Sequence, residues 1–201
     1  AGALNQVLDR ILPALEDDDA VLVMDADSAL DPRFVAAAAG RLGTRTGRGR
    51  HGAVIGGVGG TFRGGRGGGF VGLLQRNEYA RYARDVSRKK GKVLVLTGTA
   101  TLFSAATLRH VVWARAEGLL PGGAAQVYDT RVLTEDNELT LALLHLGYKV
   151  VSPKECRLTT EVMETWGDLY RQRLRWKRGA IENLRDYGFN RITASYWLRQ
   201  L

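Results

Sequence analysis

The stretch Ala20-Val21-Leu22-Val23-Met24-Asp25-Ala26-Asp27 decides the fold class. Five apolar residues in a row are too few for a helix and suit a strand covered on both faces in a parallel sheet. The run stops on two aspartates. Upstream, Leu4, Val7, Leu8, Ile11, Leu12 and Leu15 recur at helical spacing, with Pro13 ending or bending the helix and Glu16 to Asp19 forming an acidic loop. Downstream, Asp31-Pro32 opens a second helix over Phe34, Val35 and the following alanines. Further strands are expected at Ala53 to Val58, Val93 to Leu96 and Lys149 to Ser152. Helices are expected at about 70–90, from the cap Ser104 to Val112, from Thr134 to the stop at Gly147, and from about Trp166 to Arg185. Strands alternating with helices predict an α/β fold with a mostly parallel sheet and helices on both faces.

A chain of 201 residues, 45% apolar and 25% charged, suits one domain with a real core. Its longest apolar runs are far short of the ~20 residues that a bilayer requires. The start, Ala1 to Gln6, lacks the basic and apolar regions of a signal peptide. One cysteine, Cys156, excludes an internal disulfide framework and fits a reducing compartment. His51, His110 and His145 stand at no metal-ligand spacing, which argues against zinc.

The net charge of +8 is concentrated between Arg41 and Lys92, where 13 basic residues face only Glu78 and Asp85. Such a block suits an anionic surface or substrate, or a solvated basic face. Residues 40–72 also hold 15 of the 25 glycines. The segment 39–72 therefore reads as a Gly/Arg-rich loop region around one short strand, with Gly59 to Gly69 as a mobile loop.

Three motifs carry chemistry. Asp25 and Asp27, at i and i+2 beyond a strand end, leave an extended chain on the same side and can share a divalent cation. Thr134-Glu135-Asp136 heads a helix: Thr134 is a candidate cap, and Asp136 a candidate general base whose pKa the helix terminus lowers and Glu135 raises. Gln172-Arg173-Leu174-Arg175-Trp176 lies on a helix, with Gln172, Arg175 and Trp176 on one face suited to phosphate oxygens and a sugar ring. Leu169, Leu174 and Ile181 are expected to hold that helix to the body. The same segment, 166–187, also reads as a basic amphipathic helix beside a membrane.

Taken in order, Asp-x-Asp, Thr-Glu-Asp and Gln-Arg-x-Arg-Trp resemble the signature of processive family-two inverting glycosyltransferases, the cellulose, chitin, hyaluronan and poly-N-acetylglucosamine synthases. Ala1 to Gln6, Asp25 to Pro32, Thr97 to Leu108 and Thr159-Thr160-Glu161 extend the resemblance over nearly the whole chain. It implies a glycosyltransferase A fold, Rossmann-like, lacking the family's first two βα units, over a single partial catalytic domain. It implies Mg²⁺ or Mn²⁺ on Asp25 and Asp27, and donor contacts by Asp25, Gly98, Thr99, Gln172, Arg173, Arg175 and Trp176. It assigns catalysis to Asp136 as base, with Glu135 and Thr134 beside it. The partners implied are a UDP-sugar and a glycan or lipid-linked acceptor, at the cytoplasmic side of the cell inner membrane. Thr97-Gly98-Thr99 stands where cellulose synthases carry a Phe-Phe-Cys-Gly type sequence, which argues against cellulose as product.

Other readings are a non-processive relative that adds one sugar to a lipid or protein, a catalytically dead scaffold, and a basic nucleic-acid- or membrane-binding module. Only Phe62 and Phe70 interleave with the Gly/Arg segment, too few for a stacking platform, so nucleic acid is not expected.

Overall fold

The computed structural model of the protein describes residues 1–46 and 52–200. Helix α1 (Gly2–Ile11) ends in a 3₁₀ turn, Leu12–Ala14, where Pro13 removes a backbone donor. Then come β1 (Ala20–Met24), β2 (Ala29–Leu30), α2 (Phe34–Ala39), β3 (Arg45–Thr46), β4 (Ala53–Gly59) and β5 (Thr61–Gly64). The second half comprises α3 (Gly69–Arg88), β6 (Ala100–Ser104), α4 (Ala105–Ala116), α5 (Glu135–His145), β7 (Lys149–Val151), β8 (Arg157–Thr160), α6 (Trp166–Tyr187) and α7 (Ala194–Trp197).

The central sheet runs β1-β6-β4-β3, with β7 also bonded to β4; a second sheet runs β2-β8-β5. Helices cover both faces of the central sheet, as the α/β class requires. Strand β6 shows how: Phe103 packs with Leu8, Leu108, Val111, Leu139 and Leu143, whereas Leu102 faces Phe34, Val58 and Leu158. Cys156 lies in that second cluster, fully buried.

Strand sense departs from the mostly parallel expectation. In the central sheet β4–β7 is the parallel pair, and β1–β6, β4–β6 and β3–β4 are antiparallel. The cause lies in the connection: the chain re-enters the sheet at Ala100, and Thr101 stands opposite Gly59, where β4 ends, so β6 runs back along β4. Strand β1 is bonded to β6 alone and is exposed at both its ends, not buried on both faces.

Two further expectations are corrected. Val93 to Leu96 is buried or half-buried but forms no strand, because its backbone bonds side chains instead of a ladder. Leu96 N donates to Thr140 Oγ1 at 3.0 Å, and Leu94 O accepts from the Tyr196 hydroxyl at 2.5 Å. The strand expected at Ala53 to Val58 is β4, but Gly59 to Gly69 is not a loop throughout: Thr61–Gly64 is a strand parallel to β8, and Gly69 opens α3. Its glycines serve close packing. A Cβ at Gly57 would stand 2.6 Å from Leu96, and one at Gly60 2.3 Å from Leu158. The part of that segment at 47–51 lies outside the described residues.

Helix α5 is anchored from within. Arg115 of α4 donates to Glu138 of α5 at 2.6 Å, with both side chains almost wholly buried. The Tyr187 hydroxyl of α6 donates to the other Glu138 oxygen at 2.6 Å, and Arg115 also bonds the carbonyls of Pro121 and Val127. Burial pushes the Glu138 pKa up while Arg115 and Tyr187 pull it down. Removing one partner of such a pair leaves an uncompensated buried charge. Arg115→Met is expected to cost about 3–5 kcal/mol of unfolding free energy, measured by urea denaturation followed by circular dichroism.

Candidate active site

Antiparallel pairing builds the first half of the site. Because Met24 stands opposite Ala100, the Asp25-Ala26-Asp27 turn leaves β1 beside the Thr97-Gly98-Thr99 turn that enters β6. The Asp25 amide donates to Thr99 O at 3.3 Å. Thr97 and Thr99 share a hydroxyl bond of 2.7 Å that closes the turn.

The head of α5 is clamped onto this pair of turns. Asp136 Oδ2 accepts from the Gly98 amide at 3.0 Å and Oδ1 from the Asn137 amide at 2.7 Å. Thr140 reinforces the clamp, donating to the Asp136 carbonyl at 2.7 Å while accepting from Leu96. A side chain at Gly98 would begin 3.7 Å from Asp136 Oδ2 and 3.8 Å from both Asp25 oxygens. Both carboxylates therefore lie within van der Waals reach of one spot beside Gly98.

Helix α6 closes the other side. A Cβ at Gly179 would stand 2.4 Å from Thr134 Oγ1, so glycine permits the two backbones to meet. Asn183, fully buried, donates to Thr134 O at 3.1 Å, Thr134 Oγ1 at 3.2 Å and Asn137 Oδ1 at 2.9 Å. Thr134 does not bond the α5 amides as a side-chain cap; its hydroxyl serves the docking of α6. Gly179, Asn183 and Leu184 are the buried residues of α6, whereas Leu174 is 53% exposed and does not hold the helix.

Between these elements lies a cavity of about 630 Å³. It is lined by every site residue expected from the sequence: Asp25, Asp27, Gly98, Thr99, Thr134, Glu135, Asp136, Gln172, Arg173, Arg175 and Trp176. Arg173 lies 4.7 Å from the Trp176 ring centroid and pairs with Glu78 at 2.7 Å. The buried Oε1 of Gln172 has no partner among the described residues. Asp27 Oδ1 is approached by the hydroxyls of Ser28 and Thr160, each at 3.4 Å.

Sequence reasoning missed the wall built by β5 and α3: Phe62, Glu78, Tyr79 and Tyr82. Phe62 stacks on Tyr82 with centroids 5.3 Å apart and meets Tyr79 edge-on at 4.8 Å. The available signal was Tyr79 and Tyr82 three residues apart on one face of a basic helix. Gly68 (φ 67°) turns the chain into α3, and Gln75 ties that helix to Met163 in both directions at 3.0 and 3.2 Å.

Charge in the cavity is unbalanced. Asp25, Asp27, Glu78, Glu135, Asp136 and Glu161 line it against Arg173 and Arg175. Burial, then Asp27 and Glu135, push the Asp25 pKa up, with Arg175 opposing. Burial also raises the Asp136 pKa, outweighing the Gly98 and Asn137 amides that lower it; Glu135 and Asp25 add to the rise. Uncompensated carboxylates at a strand end are a donor set for a hard divalent cation. Among the described residues no group of three or more His, Cys, Asp or Glu side chains could hold a metal alone. Asp25 and Asp27 thus fit an ion whose remaining ligands are phosphate oxygens or water.

Residues 20–201 match the family described as Glycosyl transferase family group 2. No curated protein matches the chain. Among solved structures it is similar to the mannosyltransferase PcManGT from Pyrobaculum calidifontis, in complex with GDP-Man and Mn2+. The TM-score is 0.56 at 16% identity, over 94% of this chain and 46% of that one. The chain thus spans about half the length of that protein, and the two share the glycosyltransferase A fold.

The Gly179 contact carries a direct expectation. Gly179→Ala drives a methyl into the buried, hydrogen-bonded Thr134 side chain and costs about 1–3 kcal/mol, read as a lower urea midpoint. Asn183→Ala, which leaves buried acceptors unpaired, is expected to lower the midpoint in the same assay.

Proposed function

The chain belongs to glycosyl transferase family group 2, and from that premise we propose that it transfers a hexose or N-acetylhexosamine from a UDP-sugar, with inversion, to a growing polysaccharide or lipid-linked acceptor. One observation carries this reading. The Asp25/Asp27 turn, the Asp136 carboxylate and the arginine face of α6 converge on one cavity large enough for a nucleotide sugar and the end of an acceptor.

In this reading Asp25 and Asp27 hold Mg²⁺ or Mn²⁺, which when bound supplies Lewis-acid stabilisation of the leaving diphosphate. Arg173 and Arg175 neutralise the remaining diphosphate charge, and Trp176 offers a ring face to a sugar. Asp136 accepts the proton of an acceptor hydroxyl. The acceptor oxygen then attacks the anomeric carbon as the bond to the diphosphate breaks, and the electron pair leaves with the diphosphate. The Gly98 and Asn137 amides fix the direction of the carboxylate, and its raised pKa makes it a stronger base than a free aspartate. Glu135 contributes to that rise from the neighbouring position.

A membrane setting is part of the proposal. No helix among the described residues is long and apolar enough to cross a membrane. Yet Phe70, Leu73 and Leu74 on α3, and Trp166, Tyr170 and Leu174 on α6, are all exposed, with Phe70 and Trp166 rings 6.5 Å apart. Aromatic and leucine side chains beside Arg171 and Lys177 suit the headgroup boundary of a membrane surface. In this reading the catalytic part lies against the cytoplasmic face of the cell inner membrane.

Nucleotide release by the full-length protein in membranes, with Mg²⁺ or Mn²⁺, across UDP-glucose, UDP-N-acetylglucosamine, UDP-glucuronate and GDP-mannose tests the reaction. Asp136→Asn is expected to lower kcat by at least about a hundredfold with donor binding retained. The acid limb of the wild-type pH profile is expected above the ordinary aspartate value, because activity appears only as Asp136 loses its proton. A product ladder supports polymer synthesis and a single adduct the non-processive alternative. Release indifferent to Asp136, or with no donor, refutes the proposal. Separately, Phe70→Glu combined with Trp166→Glu is expected to reduce sedimentation with anionic vesicles while leaving nucleotide binding intact; unchanged sedimentation removes the membrane assignment.

A further inference from the structure

The ion pair between Glu78 and Arg173 crosses the cavity from α3 to α6, and the sequence motifs account for only one end of it. Arg173 Nη2 donates to Glu78 Oε2 at 2.7 Å, the one hydrogen bond this guanidinium makes among the described residues. Its central carbon also lies over the Trp176 ring. The mounts at the two ends differ. Glu78 sits next to Tyr79 and three residues after Gln75, both buried, and those neighbours are held by Phe62 and by the Met163 backbone. Arg173 projects from the exposed part of α6; the two side chains are similarly exposed, 34% for Arg173 and 44% for Glu78, so the difference lies in the helices that carry them. The rigid side of the pair is therefore α3.

We propose that Glu78 is a positioning residue for sugar transfer, holding Arg173 over Trp176 with its remaining N–H donors free to grip the diphosphate of the donor. The inference rests on the reading in which this cavity takes a nucleotide-diphosphate sugar. A guanidinium presents five donors in a planar fork, and a single bond to Glu78 leaves enough of them for bidentate contact with phosphate. Fixing a long, rotamer-rich side chain before the ligand arrives removes an ordering cost from binding. The opposite possibility, that Glu78 competes with phosphate for Arg173, predicts the reverse sign.

The test uses the full-length protein and two readouts: binding of UDP and GDP in the presence of Mn²⁺, and the kcat and KM for the donor that turns over. Glu78→Gln is expected to weaken binding of the nucleotide taken by the wild type and to raise the donor KM roughly tenfold, with kcat within about twofold. Glu78→Asp is expected to recover part of the loss, and Glu78→Gln in an Arg173→Gln background to add nothing. An exposed pair contributes little to folding, so the thermal midpoint of Glu78→Gln stays with the wild type. An unchanged or lowered KM, or an effect that persists without Arg173, overturns the inference. A wild type that binds neither nucleotide overturns both this inference and the reading beneath it, whereas normal wild-type binding with an indifferent Glu78→Gln overturns the inference alone.

Discussion

An ion pair sealed from water tolerates little displacement, and the geometry of the site depends on one. Arg115 and Glu138 are buried to within a few per cent of their surface, and Glu138 lies one turn inside α5 from Glu135 and Asp136. Through Glu138 the helix is fixed to α4, to the carbonyls of Pro121 and Val127, and to Tyr187 at the far end of α6. Sliding α5 by even a fraction of a turn would strand a charge in the interior. The pair adds little net stability over a well-packed apolar alternative. It gives α5 one admissible position, and hence Asp136 one admissible place beside Gly98.

From that fixed helix the site is assembled by short-range constraints. The register Met24 opposite Ala100 sets the two turns side by side, and the Gly98 amide joins them to Asp136. Gly179 and Asn183 then seat α6 on Thr134, so that Arg173, Arg175 and Trp176 reach the same cavity. Three segments far apart in sequence thus meet through backbone groups and small residues. Asp136 and Arg173 each give part of their hydrogen-bonding capacity to these mounts and turn the rest to the cavity.

The α/β class and the residues that converge on the cavity were legible in the sequence, because chemistry demands particular side-chain types at particular ends of elements. Asp25 and Asp27 follow an apolar run, and Gln172, Arg175 and Trp176 stand at helical spacing. Strand sense was not legible. A run such as Ala20 to Met24 is apolar in an antiparallel edge strand as it is in a buried parallel one, and only the connection through α3 and 92–99 decides. Val93 to Leu96 shows the same limit, since an apolar run reports burial, not the destination of its backbone hydrogen bonds. The stretch Gly59 to Gly69 reads as a loop because glycine composition does not reveal that Thr61–Gly64 pairs with β8 or that Leu158 presses against Gly60. The wall of Phe62, Tyr79 and Tyr82 was hidden for a related reason, as tyrosines on a helix read as ordinary core.

The lone thiol has a practical corollary. Cys156 is wholly enclosed beside Phe34 and Leu158, and burial pushes its pKa to about 11, so almost none of it is thiolate at neutral pH. Thiol-alkylating reagents therefore find no accessible native thiol in the folded chain. A cysteine introduced at an exposed position of α6 or α3 will be the sole reactive group, and a spin label or fluorophore attached there will report helix movement against a silent background.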